Sequence, residues 1–160
     1  MSLIAPLLTR RLVLLGLAVM GGGPALAQDD SSPAPPGGRA KFRWPVRGAI
    51  LKKFKAGEND GIDIAAPVGE PVHAAADGTC ISANEELKTY GKLVVLRHDD
   101  GYVTVYAGNS EIEVKEGDKI RRGQIIAKSG DSGEPPAPRL HFELRKDGKA
   151  IDPIRFLVPL

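Results

Sequence analysis

Turn-forming residues punctuate this chain from Phe42 to its end, and they limit what it can fold into. Short apolar runs alternate with Asp77-Gly78, Asp99-Asp100-Gly101, Glu116-Gly117-Asp118, Gly130-Asp131-Ser132-Gly133 and Asp147-Gly148. Clusters of this kind supply the backbone conformations of tight turns. The runs at 48–54, 61–64, 71–75, 79–83, 93–98, 102–106, 124–128 and 140–146 predict strands. The runs at 93–98 and 102–106 flank a turn and predict a hairpin. No window of helix length carries a 3.6-residue apolar period; residues 85–90 allow one helical turn at most. Nineteen Gly and thirteen Pro among 160 residues also argue against a helical bundle. The prediction is one all-β domain of many short strands, a sandwich or a barrel.

The charge is unevenly placed. The chain has 22 basic and 20 acidic residues, a formal net charge of +2. Residues 1–27 hold Arg10, Arg11 and no acid. Taking those two from the 22 leaves 20 against 20 in residues 28–160. A polyanion or nucleic-acid binder held by net charge is therefore not expected. Residues 1–27 read as a secretory signal: the Arg pair, an apolar stretch from Leu12 to Met20, a Gly-Pro break, and Ala25-Leu26-Ala27 as a cleavage site. That stretch is too short to span a membrane, so no stable anchor is expected after cleavage. Thr9-Arg10-Arg11-Leu12 also suits a twin-arginine route. Residues 28–41 read as a disordered linker and 42–160 as the domain. The expected location is the periplasm. Only Cys80 is a cysteine, which excludes an internal disulfide; it reads as a small buried strand residue.

Few residues suggest chemistry. No serine-nucleophile motif, phosphate loop or Cys–His pattern is present. Asp63, within Gly61-Ile62-Asp63-Ile64-Ala65-Ala66-Pro67, and His141, within Leu140-His141-Phe142-Glu143-Leu144-Arg145, are legitimate zinc ligand types. Two ligands do not make a site, and composition supplies no third.

The order of motifs is more informative. Asn59-Asp60-Gly61-Ile62-Asp63-Ile64-Ala65-Ala66-Pro67 is followed by Tyr90-Gly91-x-Leu93-Val94-Val95 and Tyr106-Ala107-Gly108-Asn109. Val114-x-x-Gly117-Asp118-x-Ile120-x-x-Gly123-Gln124 and Arg139-Leu140-His141-Phe142-Glu143 complete the series. In this order they resemble the LytM/lysostaphin-type zinc endopeptidase domain of peptidoglycan hydrolases. The resemblance implies an all-β LytM-type sandwich or open barrel, the duplicated hybrid motif, with short connecting turns. It also implies a five-residue site: a His and an Asp as zinc ligands, a His after Tyr-Ala, and a His-x-His pair. Asn59, Gly108 and Arg139 stand at three of those positions, and only Asp63 and His141 match. An amide oxygen is a poor ligand for zinc, glycine has no side chain, and a guanidinium stays protonated and repels the metal. The expectation is no catalytic residue, no metal and no cofactor.

A degenerate domain of this kind is similar to the EnvC/NlpD-type activators of cell-wall amidases. The resemblance implies that Asn59, Asp63, Gly108, Arg139 and His141 line a groove for a partner. That partner would be a periplasmic, zinc-dependent N-acetylmuramoyl-L-alanine amidase working in cell-wall remodelling and division, with peptidoglycan as a second partner. A zinc endopeptidase with relocated ligands and a plain envelope-binding module are the alternatives. Arg139 reads either as a cation for an acidic partner group or as a solvated rim charge. Residues 39–55 hold seven basic side chains and no acid, which reads as a strand edge blunted by charge.

Overall fold

The structure, a computed structural model, describes residues 41–160. The signal at 1–27 and all but the last residue of the linker at 28–41 lie outside the described residues. Among the described residues the regular elements are strands, apart from a 3-10 turn at Pro153–Phe156. The strands are β1 (Ile50–Lys52), β2 (Ile62–Ala65), β3 (Pro71–His73), β4 (Gly78–Leu87) and β5 (Gly91–Arg97). They continue with β6 (Tyr102–Ile112), β7 (Lys119–Ile120), β8 (Ile125–Ser129), β9 (Arg139–Lys146) and β10 (Lys149–Ile151). The hairpin expected across Asp99–Gly101 is β5–β6. Residues 85–90 are not helical. β4 runs to Leu87, which pairs with Gly91, and 88–90 form the turn between them. Pairing to β5 satisfies backbone groups that one isolated helical turn would leave open.

The main sheet runs β1-β2-β9-β6-β5-β4-β7, with β10 pairing to β9 and β8 to both β3 and β6. All of these pairs are antiparallel. β6 ties the layers together. Its first half pairs with β9 as far as Ala107, and its second half pairs with β8 from Asn109. Gly108, with φ +84°, stands at the switch, and a positive φ there favours glycine. A smaller layer lies across the core. Arg43 N–H donates to Ala75 O (3.0 Å), His73 N–H to Pro45 O (2.9 Å) and Gly123 N–H to Ala74 O (2.9 Å), so segments 43–45 and 123–124 flank the β3 chain.

Alternation along the strands decides which side chains meet in the core. Leu140, Phe142 and Leu144 of β9 and Tyr106 of β6 are fully buried against Phe42, Val46, Val72, Ala74 and Ile126 of the smaller layer. Each such Leu or Phe stabilises the fold by about 1.5–3 kcal/mol. Within this core His98 Nδ1 donates to Asp77 O (2.6 Å), and a hydrogen-bonded chain continues through Thr104 and the Tyr106 hydroxyl to Ala75 N–H. Burial holds His98 below the ordinary histidine pKa. The other side of β9 faces away from this core, and it carries the site.

Candidate functional site: a closed charge ladder in a degenerate cleft

Arg139, His141, Glu143 and Arg145 occupy alternate positions of β9, opposite Leu140, Phe142 and Leu144. A period of two places all four on one face. β2 runs beside β9 with Asp63 directly across from His141. His141 Nδ1 donates to Asp63 Oδ1 at 2.7 Å and Nε2 to Glu143 Oε1 at 3.1 Å. Glu143 Oε2 accepts from Arg145 Nε at 2.9 Å, and Arg145 Nη2 reaches Asp60 at 3.2 Å. At the other end Arg139 Nε lies 3.3 Å from Asp63 Oδ2, while Nη1 donates to Pro135 O at 2.9 Å. The charges alternate along the whole series: Arg139, Asp63, His141, Glu143, Arg145, Asp60.

The ladder is largely out of water, so its protonation states are set by its own members. Burial pushes the His141 pKa down, but the hydrogen bonds and charges of Asp63 and Glu143 outweigh it and hold the ring up at about 9. Burial pushes the Asp63 carboxyl up, but His141, Arg139 and Lys52 outweigh it and keep the pKa below the usual carboxylate range. Glu143, only 1% exposed, is lowered against its burial in the same way by His141 and Arg145. Burial and the Glu143 carboxylate push the Tyr90 hydroxyl up to about 12; its ring lies 6.1 Å from that of His141. At neutral pH His141 is therefore an imidazolium with both nitrogens donating.

Asn59, Asp63, Gly108, Arg139 and His141 all line one open cleft of about 630 Å³. They do not play equal parts in it. Asn59 is folded back on its own loop: Nδ2 donates to Lys53 O (2.9 Å) and Gly61 O (2.8 Å), which secures the turn entering β2. Gly108 forms part of the wall, and a Cβ there would lie 3.2 Å from Arg139 O. Arg139 is a strut, joining the loop at Pro135 to the ladder at Asp63. Glu143, Arg145, Asp60 and Tyr90 are the members that sequence reasoning missed. The signal for two of them was available, because polar residues at every second position of 139–145 predict one strand face.

The donor set does not fit zinc. A zinc-bound His offers a neutral ring nitrogen, whereas each nitrogen of His141 faces a carboxylate. Asn59 offers only a neutral amide oxygen, Gly108 has no side chain, and a guanidinium neutralises Asp63. No group of three or more His, Cys, Asp or Glu able to hold a metal ion occurs among the described residues. Nor is any helix there long and apolar enough to cross a membrane.

Comparison with known proteins agrees with the architecture. The chain is 40% identical over 118 residues to the lipoprotein NlpD/LppB homolog of Pseudomonas aeruginosa, covering 72% of this chain and 39% of that protein. It is 41% identical over 118 residues to the murein hydrolase activator NlpD of Escherichia coli K12, covering 72% of this chain and 31% of that one. The chain thus spans well under half the length of these curated relatives. A zinc-containing peptidase from Vibrio cholerae has the same architecture, with a TM-score of 0.68 at 30% identity over 76% of this chain and 41% of that one. The sequence profile described as Peptidase family M23 matches residues 57–153, more than half of the chain. With the strand order, the cleft and these matches in agreement, the chain belongs to peptidase family M23.

Proposed function

We propose that this domain is a non-catalytic activator of a peptidoglycan amidase, with Asn59, Asp63, Gly108, Arg139 and His141 in the wall of the groove that receives a segment of the enzyme. The observation that carries this reading is the state of His141. Its two ring nitrogens are occupied by Asp63 and Glu143, so the position of a zinc ligand is used to brace the cleft. A site without an activated water or a polarised carbonyl has no means of peptide hydrolysis by the family's chemistry. The cleft remains open, with a volume that suits a docked segment. The identity to an activator over the domain supports the same reading. The amidase is zinc-dependent and periplasmic in this proposal, and residues 1–27 act as the export signal.

The test is a mixing assay. The purified chain, added to an amidase of its source organism, accelerates dye release from labelled sacculi and releases none alone. Arg139→Ala loosens the loop at Pro135 and weakens the dose-response about tenfold while the thermal melt still shows a folded domain. Hydrolysis by the chain alone, with one tightly held zinc per chain, refutes the proposal. An unchanged dose-response for Arg139→Ala removes Arg139 from the groove.

A further inference from the structure

Among the described residues, the basic side chains of 41–55 do not form one patch. Lys52 lines the cleft, and Lys41 pairs with Asp100 at 2.9 Å. Arg43 belongs to the smaller layer, with its N–H on Ala75 O, and does not line the cleft. Its guanidinium rests on Gly123, with Nη1 2.5 Å from where a Cβ of residue 123 would be. A side chain at 123 would only push aside the flexible end of Arg43; the positive φ of 85° is what favours glycine there. Gly123 lies inside a tight turn, closed by Gln124 N–H to Arg121 O, whose Arg121 and Arg122 are both exposed. His73 Nδ1 lies 2.9 Å from Gly123 O, which holds the turn against β3. The Arg43 guanidinium thus rests on the turn that carries exposed Arg121 and Arg122, so arginines from two distant parts of the chain gather at one turn.

None of the three makes an ion pair with another described residue. The acid in contact with this turn is Asp77, whose Oδ1 accepts from the Arg122 backbone N–H at 2.6 Å. It offsets one charge and leaves a local excess of cation. In the cleft, by contrast, the charge ladder is paired end to end, and Lys128 is paired with Glu111. Beside the arginines, Ile125 of β8 is 44% exposed, while its neighbour Ile126 is in the core. Ile125 pairs with His73, so it stands next to the turn.

We infer that this face, built from Arg43, the 121–123 turn and Ile125, docks the domain on an anionic phospholipid bilayer. Guanidinium groups bind phosphate oxygens bidentately. An aliphatic side chain set among cations suits the boundary between headgroups and acyl chains. An acidic protein surface would satisfy the arginines but gains less from a lone exposed isoleucine between them. Arg43, Arg121, Arg122 and Ile125 are not among the residues that line the cleft, so docking through them does not use the cleft lining. The inference is independent of what the cleft binds.

The test uses the full chain and vesicles of phosphatidylglycerol with phosphatidylcholine, against vesicles of phosphatidylcholine alone. The chain floats with the anionic vesicles and less with the neutral ones. Raising salt from about 0.1 M to about 1 M shortens the Debye length from about 10 Å to about 3 Å and releases it. The triple variant Arg43→Gln/Arg121→Gln/Arg122→Gln lowers partitioning by roughly a hundredfold, from the contribution of three charges near such a surface. The charge-matched variant Lys53→Gln/Lys88→Gln/Lys149→Gln, on exposed residues elsewhere, retains it. Ile125→Ser weakens binding with no change of charge. Thermal melts of all variants verify folding, since every substituted side chain is wholly or partly exposed. Equal loss in both triple variants, equal binding to neutral vesicles, or retention on purified peptidoglycan without vesicle binding overturns the inference.

Discussion

Replacing Glu143 by Gln tests whether the cleft is braced by its charge ladder. The carboxylate is 1% exposed and accepts from His141 at 3.1 Å and from Arg145 at 2.9 Å. Gln fills the same space but offers one oxygen and one NH2 group. That NH2 must face either the His141 Nε2–H or the Arg145 guanidinium, so two donors meet head to head. Whichever way it turns, one of the two cations loses its partner at 143; Arg145, itself 7% exposed, would then keep Asp60, and His141 would keep Asp63. Breaking a buried pair from one side costs about 3–5 kcal/mol; Asp60 and Asp63 still hold the two cations, so the lower end, about 3 kcal/mol, is expected. Urea unfolding reads it directly: at an m-value of about 1.5 kcal/mol/M the midpoint falls by about 2 M. Glu134→Gln, on an exposed lining residue, is the control and changes stability by about 0.5 kcal/mol or less.

The same ladder predicts a pH dependence with a definite sign. The folded pKa of His141 is about 9, above the ordinary 6.5. Its stabilisation is present in full below pH 6.5, declines as the pH rises from 6.5 to 9, and is gone above that. The interval is worth about 3 kcal/mol. His98, whose folded pKa is lowered, works in a separate window: its stabilisation is lost as the pH falls below 6.5. Unfolding free energies of the parent therefore decline between pH 6.5 and 9, and Glu143→Gln flattens the decline. A flat parent profile across that range, or a Glu143→Gln loss no larger than the Glu134→Gln control, refutes the braced ladder.

Asn59→Ala leaves Lys53 O and Gly61 O without their side-chain donor and lowers stability by about 1–3 kcal/mol in urea unfolding. Asn59→His loses the same two bonds and does not create a zinc site, since Arg139 still neutralises Asp63; metal analysis after dialysis against zinc finds no stoichiometric metal. Gly108→Ala puts a Cβ at a φ of +84° and 3.2 Å from Arg139 O, costing about 1–2 kcal/mol in thermal or urea unfolding. Cys80 is buried, and burial pushes its thiol up to about 11; it stays unreactive to a thiol reagent at pH 8 until the chain is unfolded.

Much of the architecture is legible in one dimension. Alternation over 140–146 identifies β9, because a strand with one dry face must repeat every second residue. Asp99-Asp100-Gly101 identifies the β5–β6 hairpin. β7 was not legible, because two residues carry no period, and its pairing with Gly78 and Thr79 of β4 joins residues forty apart. β10 was missed for the same reason, although its turn at Asp147-Gly148 is plain in the sequence.

For the site, the resemblance to LytM-type peptidases carries the expectation that imidazoles are missing at 59, 108 and 139. Amide, glycine and guanidinium cannot replace imidazoles on zinc in any arrangement, because that is a property of the side chains themselves. The partners of Asp63 and His141 depend on the fold. Asp63 and His141 lie 78 residues apart and become partners only because β2 and β9 pair in register. Glu143 and Asp60 become useful only because Arg145 lies between them. Arg139, readable from sequence as a partner contact or a rim charge, turns out to join the Pro135 loop to Asp63. Charge pairing depends on distance and burial, and both are set by strand register, so only the tertiary structure could turn six charged residues into one closed ladder.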